Sequence, residues 1–414
     1  MLHRTGHHRP HDGTYTMMKL ARLLVAATVL AACGSPPVQP PTVDTPPAQP
    51  VNDAIETPNA AADTSPPTPP SGWWDEAVFY AVDVRGFYDS DGDGIGDLRG
   101  LTDKLDVLTD GANSGDDLGV TGLLLAPPPA PAGTKGDFEV LMTAAHTRGA
   151  KVVVALPAAS SAGQTEDAVR AWLAKGVDGV RVSAARTVFR ANDGRVVDTV
   201  PEAIFDPEVG QAIKDGMTTD STTLLTGGAT MRLAAALRFA SPPTPSIQFG
   251  EEIGMLRGGR GEDLPPHTPM RWDCGETVGF TTGAPWQAIP TALPGTDVAA
   301  QRARRGTLWT LYQSLIDLRR THTALWRGTL TPLVVQGGGT HVAAFVREDA
   351  LSSERILIIA NLGDTALDSF SVDLLGVPSV LLTEGLQAPV RTAAGLAFDG
   401  ASPRAFGFVA LSPD

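Results

Sequence analysis

From Trp73 onward, short apolar runs alternate with stretches whose apolar residues recur at helical spacing, and this alternation most constrains the fold. Residues 78–84, 122–126, 152–156, 179–182, 222–225 and 246–249 predict strands, and 138–148 and 166–175 predict helices between them. Strands joined through helices pair in parallel, so the pattern points to an α/β architecture, either a barrel or a doubly wound sheet. Residues 299–322, with Leu308, Leu311, Tyr312, Leu315, Ile316 and Leu318 on one side, predict the strongest amphipathic helix. After Trp326 the pattern changes. Apolar runs at 342–346, 356–360 and 406–411 are separated by turn residues, which predicts a small antiparallel β-domain. The expected boundaries are 73–325 for the first unit and 326–414 for the second; no repeat of fixed period is visible.

The first 72 residues read differently. Lys19 and Arg22 precede an apolar run at 23–32, too short to span a bilayer but of the length of a secretory signal core. It ends in Leu30-Ala31-Ala32-Cys33, which resembles the lipobox of bacterial lipoproteins, where the cysteine thiol takes a diacylglycerol. The other reading is a plain secretory signal with an incidental cysteine. Residues 1–33 are thus expected to be an upstream segment plus a lipoprotein signal. Gly34 after the cysteine favours the outer membrane, and membrane contact is expected through the anchor alone. Residues 34–72, dominated by Pro, Ala, Thr and Asp, lack the large apolar side chains that bury a core and are expected to be an extended tether. With Cys33 lipidated, Cys274 has no partner within the chain, so no disulfide framework is implied.

A formal net charge of -14 gives no basic face for phosphates, so nucleic acid is not an expected partner. The acidic excess includes one patterned segment, Asp89-Ser90-Asp91-Gly92-Asp93-Gly94-Ile95-Gly96-Asp97. Carboxylates at alternate positions around a glycine turn can converge on one point, as a hard, oxygen-loving cation requires. The expected ligands for a structural calcium are Asp89, Asp91, Asp93, the Ile95 carbonyl and Asp97; the competing reading is a solvated acidic turn. Gly100 stands where an EF-hand places its bidentate glutamate, so the loop is not an EF-hand.

In context these residues resemble the opening of glycoside hydrolase family 13, the α-amylase family, in its oligo-1,6-glucosidase, α-glucosidase and trehalose synthase branch. The resemblance rests on Trp73-Trp74-Asp75-Glu76, Arg85-Gly86-Phe87, the acidic loop and Asp97-Leu98-Arg99-Gly100. In the same order follow Ala145-His146-Thr147-Arg148-Gly149, Asp178-Gly179-Val180-Arg181, Gly250-Glu251-Glu252-Ile253-Gly254-Met255 and Thr268-Pro269-Met270-Arg271-Trp272-Asp273. The resemblance implies a TIM-type barrel with eight β/α units, then a C-terminal antiparallel β-sandwich. No room exists between Ser161 and Gly176 for the domain that relatives insert into the barrel, and a sixth strand is hard to find between Val209 and Ser221, so the barrel is expected to be incomplete.

The resemblance also implies where catalytic groups should stand. Such enzymes use an Asp nucleophile, a Glu acid/base and a second Asp stabilising the oxocarbenium-like transition state, each at a strand's C-terminal end. The nucleophile belongs two residues after Arg181, which the resemblance implies is a retained catalytic-site residue, and there this chain has Ser183. The strand-three Asp and its Asn-His partners align with Ala155, Ala159 and Ser160, and the strand-seven Asn-His-Asp with Gly227, Gly228 and Ala229. Glu202 aligns with the general acid or is an isolated surface glutamate. A serine hydroxyl without an adjacent base cannot replace the nucleophilic carboxylate. The expectation is a catalytically degenerate envelope lipoprotein that binds an α-glucan or oligosaccharide, or a protein of the envelope. The alternative is an active glycosidase or transglycosylase with atypical carboxylates.

Overall fold

The computed structural model describes residues 72–112, 115–125, 135–157, 162–183, 186–199, 228–242, 244–255, 268–289, 294–338 and 341–413. Cys33, Ala159, Ser160, Glu202 and Gly227 therefore lie outside the described residues, as do the strand expected at 222–225 and the segment 209–221.

The first unit is built on one sheet. Its strands are β1 (Phe79–Val82), β2 (Gly122–Leu125), β3 (Lys151–Ala155), β4 (Gly179–Ser183), β5 (Arg186–Arg190), β6 (Val196–Thr199) and β7 (Ser246–Gln248), in the order β6-β5-β4-β3-β2-β1-β7. Strands β1 to β4 and β7 run parallel, whereas β5 and β6 add an antiparallel hairpin. The helices crossing between parallel strands include α1 (Lys135–Thr147), α2 (Ala162–Ala174) and α3 (Ala229–Ala240). Helix α2 fills the interval that left no room for an inserted domain.

Three expectations are corrected. The strand predicted over 78–84 ends at Val82, because Asp83 caps a helical turn at Val84–Phe87 through a 3.1 Å bond from the Arg85 amide to its carboxylate. The single helix predicted over 299–322 is two, α4 (Val298–Arg302) and α5 (Leu308–Thr321). Gly306, at φ 73°, supports the break, and the Thr307 hydroxyl then accepts from the Thr310 amide. The third is the β5-β6 hairpin, where only a continuing β/α pattern had been read.

Period-two alternation gives the sheet two apolar faces. Tyr80, Val82, Leu123, Leu125, Val152, Val154 and Val180 pack against the helices. Phe79, Ala81, Leu124, Val153, Ala155 and Phe189 face the other way, toward Trp73 and Trp74. The Trp74 ring stacks on Phe189 at 4.8 Å, and Trp73 meets Phe189 edge-on at 5.2 Å. The interior face at these positions is thus filled by aromatic rings, as a packed barrel requires.

The second unit is a two-layered antiparallel domain. One sheet has the order β13-β16-β11-β10-β8, from β8 (Thr329–Pro332), β10 (Val342–Asp349), β11 (Glu354–Asn361), β13 (Val377–Leu386) and β16 (Ala401–Ser412). The other has the order β14-β15-β12-β9, from β9 (Val335–Gly337), β12 (Phe370–Val372), β14 (Val390–Thr392) and β15 (Gly395–Phe398). Phe345, Ile356, Ile358, Phe406 and Phe408 pack toward the barrel helices, while Val346, Leu357, Ile359, Val409 and Leu411 fill the sandwich core. Two fully buried arginines seal the junction. Arg347 donates to the carbonyls of Ala240 (2.7 Å) and Gly328 (2.8 Å), and Arg319 to those of Leu325 (3.0 Å) and Asp75 (3.1 Å).

Candidate functional site

Strand registers show which groups the fold gathers at the C-terminal end of the sheet. Ala155, the last residue of β3, lies opposite Arg181 of β4, so both belong to the interior face. Ala155 is buried with Ala81, Val153 and Phe189, and its methyl group offers no polar atom. Burial lowers the pKa of the Arg181 guanidinium. Ser183 closes β4 and pairs with Arg186 at the start of β5, so only residues 184–185 separate the strands. At this edge the chain turns straight back into an antiparallel strand, where a β/α barrel would open a loop and a helix. Ala229 is the first residue of α3, with Gly228 as its N-cap.

The carboxylates of the β7 turn serve packing. Gly250, at φ 86°, reverses the chain into a single 3-10 turn, Glu251–Ile253. Glu251 accepts from Arg238 of α3 at 2.6 Å and from the Gln248 amide at 3.2 Å. Glu252 is fully buried, and its Oε1 accepts from the Tyr80 hydroxyl at 2.7 Å. Its Oε2 has no hydrogen-bond partner among the described residues. Burial pushes the Glu252 pKa up to about 8, so a proton on this carboxyl is favoured at neutral pH. Because Tyr80 faces the helices, Glu252 lies outside the interior face. Sequence reasoning had read these glutamates only as a matching motif; Glu252's isolation arises from packing against residues far away in the chain.

The acidic loop follows β1. Asp89 is buried and accepts from the amides of Asp91 (3.1 Å), Gly92 (2.8 Å) and Gly94 (2.8 Å) and from the Thr281 hydroxyl. Burial raises its pKa, but the hydrogen bonds from Thr281, Gly94, Gly92 and Asp91 outweigh that and hold the carboxyl below its ordinary value. Asp97 caps the helical turn Leu98–Asp103 through the Gly100 amide and also accepts from the amide and hydroxyl of Ser90. Oxygens of Asp89, Asp91 and Asp97 lie within 4.8 Å of one another. Asp93 is outside that group and accepts from the Ile95 amide at 2.8 Å. The loop is also held from far along the chain: the Asp89 amide donates to Phe280 at 3.0 Å, and the Trp286 amide to Gly94 at 2.9 Å. A side chain at Gly94 would meet the Ala284 carbonyl at 2.0 Å, so this approach requires glycine.

A parallel α/β sheet with flanking helices, an acidic loop after its first strand and a C-terminal β-sandwich together define a TIM-type barrel protein with an appended β-domain. Residues 217–328 match the α-amylase catalytic-domain family. A segment is 40% identical over 122 residues to the trehalose synthase/amylase TreS of Mycolicibacterium smegmatis, covering 25% of this chain and 19% of that protein. Another is 37% identical over 102 residues to the oligo-1,6-glucosidase of Heyndrickxia coagulans, covering 20% and 17%. The matches thus span about a fifth of these relatives' length. In fold, the α-amylase from H. orenii superposes with a TM-score of 0.61 at 20% identity, covering 81% of this chain and 99% of that one. Trehalulose synthase MutB from Pseudomonas mesoacidophila MX-45 gives a TM-score of 0.60 at 18% identity, covering 83% and 100%. The chain thus carries an α-amylase catalytic-domain match over residues 217–328 and is similar in segments of sequence to members of glycoside hydrolase family 13, whose fold it shares.

Proposed function

We propose that this α-amylase-family protein does not hydrolyse glycosides and acts at the cell envelope, anchored through Cys33, as a binding protein for an α-glucan or oligosaccharide. The observation that carries the reading is Ser183, which closes β4 two residues after Arg181, at the strand end where the resemblance places the nucleophilic carboxylate that the family mechanism needs. A retaining glycosidase needs two carboxyl groups flanking the scissile bond, and one partner cannot act alone. Glu251 is committed to Arg238 and Glu252 to Tyr80, so neither is free for that role. Incubation with starch and maltose tests the reading: no glucose release is expected, together with saturable binding of an α-linked oligosaccharide.

The names of the relatives, trehalose synthase and oligo-1,6-glucosidase, favour a second reading, an active glycosidase or transglycosylase in which Glu202 is the acid. Its signature is turnover abolished by Glu202→Gln.

The acidic loop is proposed to hold one structural calcium ion. The donors suit it, because a hard cation prefers oxygen, and the three clustered carboxylates repel one another without a counter-charge. Asp89, Asp91 and Asp97 would hold the ion, with Asp93 and the Ile95 carbonyl completing the set, and its charge would offset that repulsion.

A further inference from the structure

The N-terminal end of the barrel sheet carries a cleft of about 360 Å³ lined by Trp73, Glu76, Thr121, Gly149, Lys151 and Arg320, among others. Thr121 immediately precedes β2 and Lys151 opens β3, so the cleft lies at the opposite end of the strands from Ala155 and Arg181. We infer that this cleft is the saccharide-binding site, taking one or two sugar units of an oligosaccharide. The inference rests on the binding half of the function proposed above and assigns it to a place the family's chemistry does not use.

The cleft is preorganised. The Trp73 indole N–H donates to the Arg190 carbonyl at 2.9 Å, and its ring is wedged edge-on against Phe189. The Lys151 ammonium sits 5.4 Å from the centre of that ring and 3.1 Å from Asp178 Oδ1. Asp178 is itself fixed, accepting from the Val152 amide at 2.9 Å and lying 2.7 Å from His146 Nε2. Lys151 is therefore held in place by one carboxylate oxygen, with ammonium protons left to donate. Thr121 accepts from the Val78 amide, which leaves its hydroxyl proton for a ligand. Gly149, at φ 77°, keeps one wall open, since a side chain there would project into empty space.

The chemistry of this lining decides the ligand class. Lys151, Arg320 and Thr121 donate, Glu76 accepts, and the indole supplies an apolar wall. Charges of both signs argue against a simple anion or cation. They suit a polyhydroxyl ring, whose hydroxyls both donate and accept and whose C–H groups can meet the edge of the largely buried Trp73 indole. The volume is within the range of about 300–1,000 Å³ typical of small-molecule sites.

Titration of the full chain with maltose and with trehalose, followed by the Trp73 indole N–H resonance and by calorimetry, tests the assignment. Glu76 and Arg320 are exposed, so Glu76→Gln and Arg320→Ala should leave the fold intact, as circular dichroism would verify. The expected result is a saturable shift of the Trp73 resonance, with affinity reduced about tenfold by each variant through loss of a charge-assisted hydrogen bond, and unchanged affinity in Arg181→Ala. Sugar binding that survives both variants, or that only Arg181→Ala removes, overturns the cleft assignment while leaving the binding function standing. Failure of both sugars to bind overturns the two together, and glucose release from the same samples bears on the catalytic reading alone.

Discussion

The hydroxyl of Tyr80 donates a 2.7 Å hydrogen bond to Glu252, joining the first strand of the barrel sheet to the turn after the seventh across 172 positions of sequence. Burial raises the pKa of both groups, so the pair is favoured with both protons in place, a phenol donating to a protonated carboxyl.

This pair predicts a pH dependence of stability. An unfolded glutamate ionises near 4.5, whereas Glu252 in the fold ionises at about 8. The folded state therefore binds more protons between those values, and stability must fall as pH rises from about 4.5 to about 8. Glu252→Gln, which keeps an acceptor for Tyr80 and cannot ionise, should flatten this part of the profile. Urea denaturation from pH 5 to pH 8 is the check; equal slopes in wild type and variant would show that Glu252 ionises normally.

Arg347 should dominate the junction between the two units. Its replacement by alanine strands the carbonyls of Ala240 and Gly328 and opens a cavity, costing about 3 kcal/mol. A loss below about 0.5 kcal/mol in denaturant titrations, the range of an ordinary surface substitution, would mean that the buried guanidinium seals nothing.

Calcium should raise the melting temperature, with a stabilisation of about 2.7 kcal/mol at a hundred times the dissociation constant. The two roles of the loop can be separated. Asp91 is exposed, so Asp91→Ala should abolish the response with little effect on the metal-free protein. Asp89→Ala, by contrast, should destabilise with or without the ion, because it also removes the bonds from Gly92, Gly94 and Thr281. Identical melting with calcium and with chelator would reduce the loop to a hydrogen-bonded turn.

Much of this fold was readable locally. Val152-Val153-Val154 between helical stretches marks a parallel strand, and three strands of the five-stranded sheet, β10, β11 and β16, follow from the apolar runs at 342–346, 356–360 and 406–411, whereas the largely unburied β8 and β13 carry no such run. The β5-β6 hairpin was missed although its signal is present: Asn192-Asp193-Gly194 between Thr187-Val188-Phe189 and Val196-Val197 has the Asp-Gly sequence of a tight turn. Gly194 adopts φ 83°, as such a turn requires. The break before α5 was equally signalled by Gly306-Thr307. What no local pattern carries is the burial of Glu252 or the docking of residues 280–286 on the acidic loop, since both arise from contacts more than 150 residues apart.

The anchor has its own test. Mass spectrometry of the native protein should find Cys33 as an acylated N-terminus, and Cys33→Ser should release the protein from membranes. An unmodified soluble wild type that behaves like the variant would rule the anchor out.

Release of aryl alcohol from an activated aryl α-glucoside, followed in a single turnover with protein in excess, tests most directly whether this barrel has lost its chemistry. A good leaving group lessens the need for a general acid, so even a damaged site with a working nucleophile would register. The expected result is no release above background from the wild type, and none from Ser183→Asp, because catalytic groups acting as a unit are strongly non-additive. Robust wild-type release would contradict it and make the protein an active glycosidase, and Glu202→Gln should then abolish turnover of maltose, whose poor leaving group needs the acid, while sparing release from the aryl glucoside.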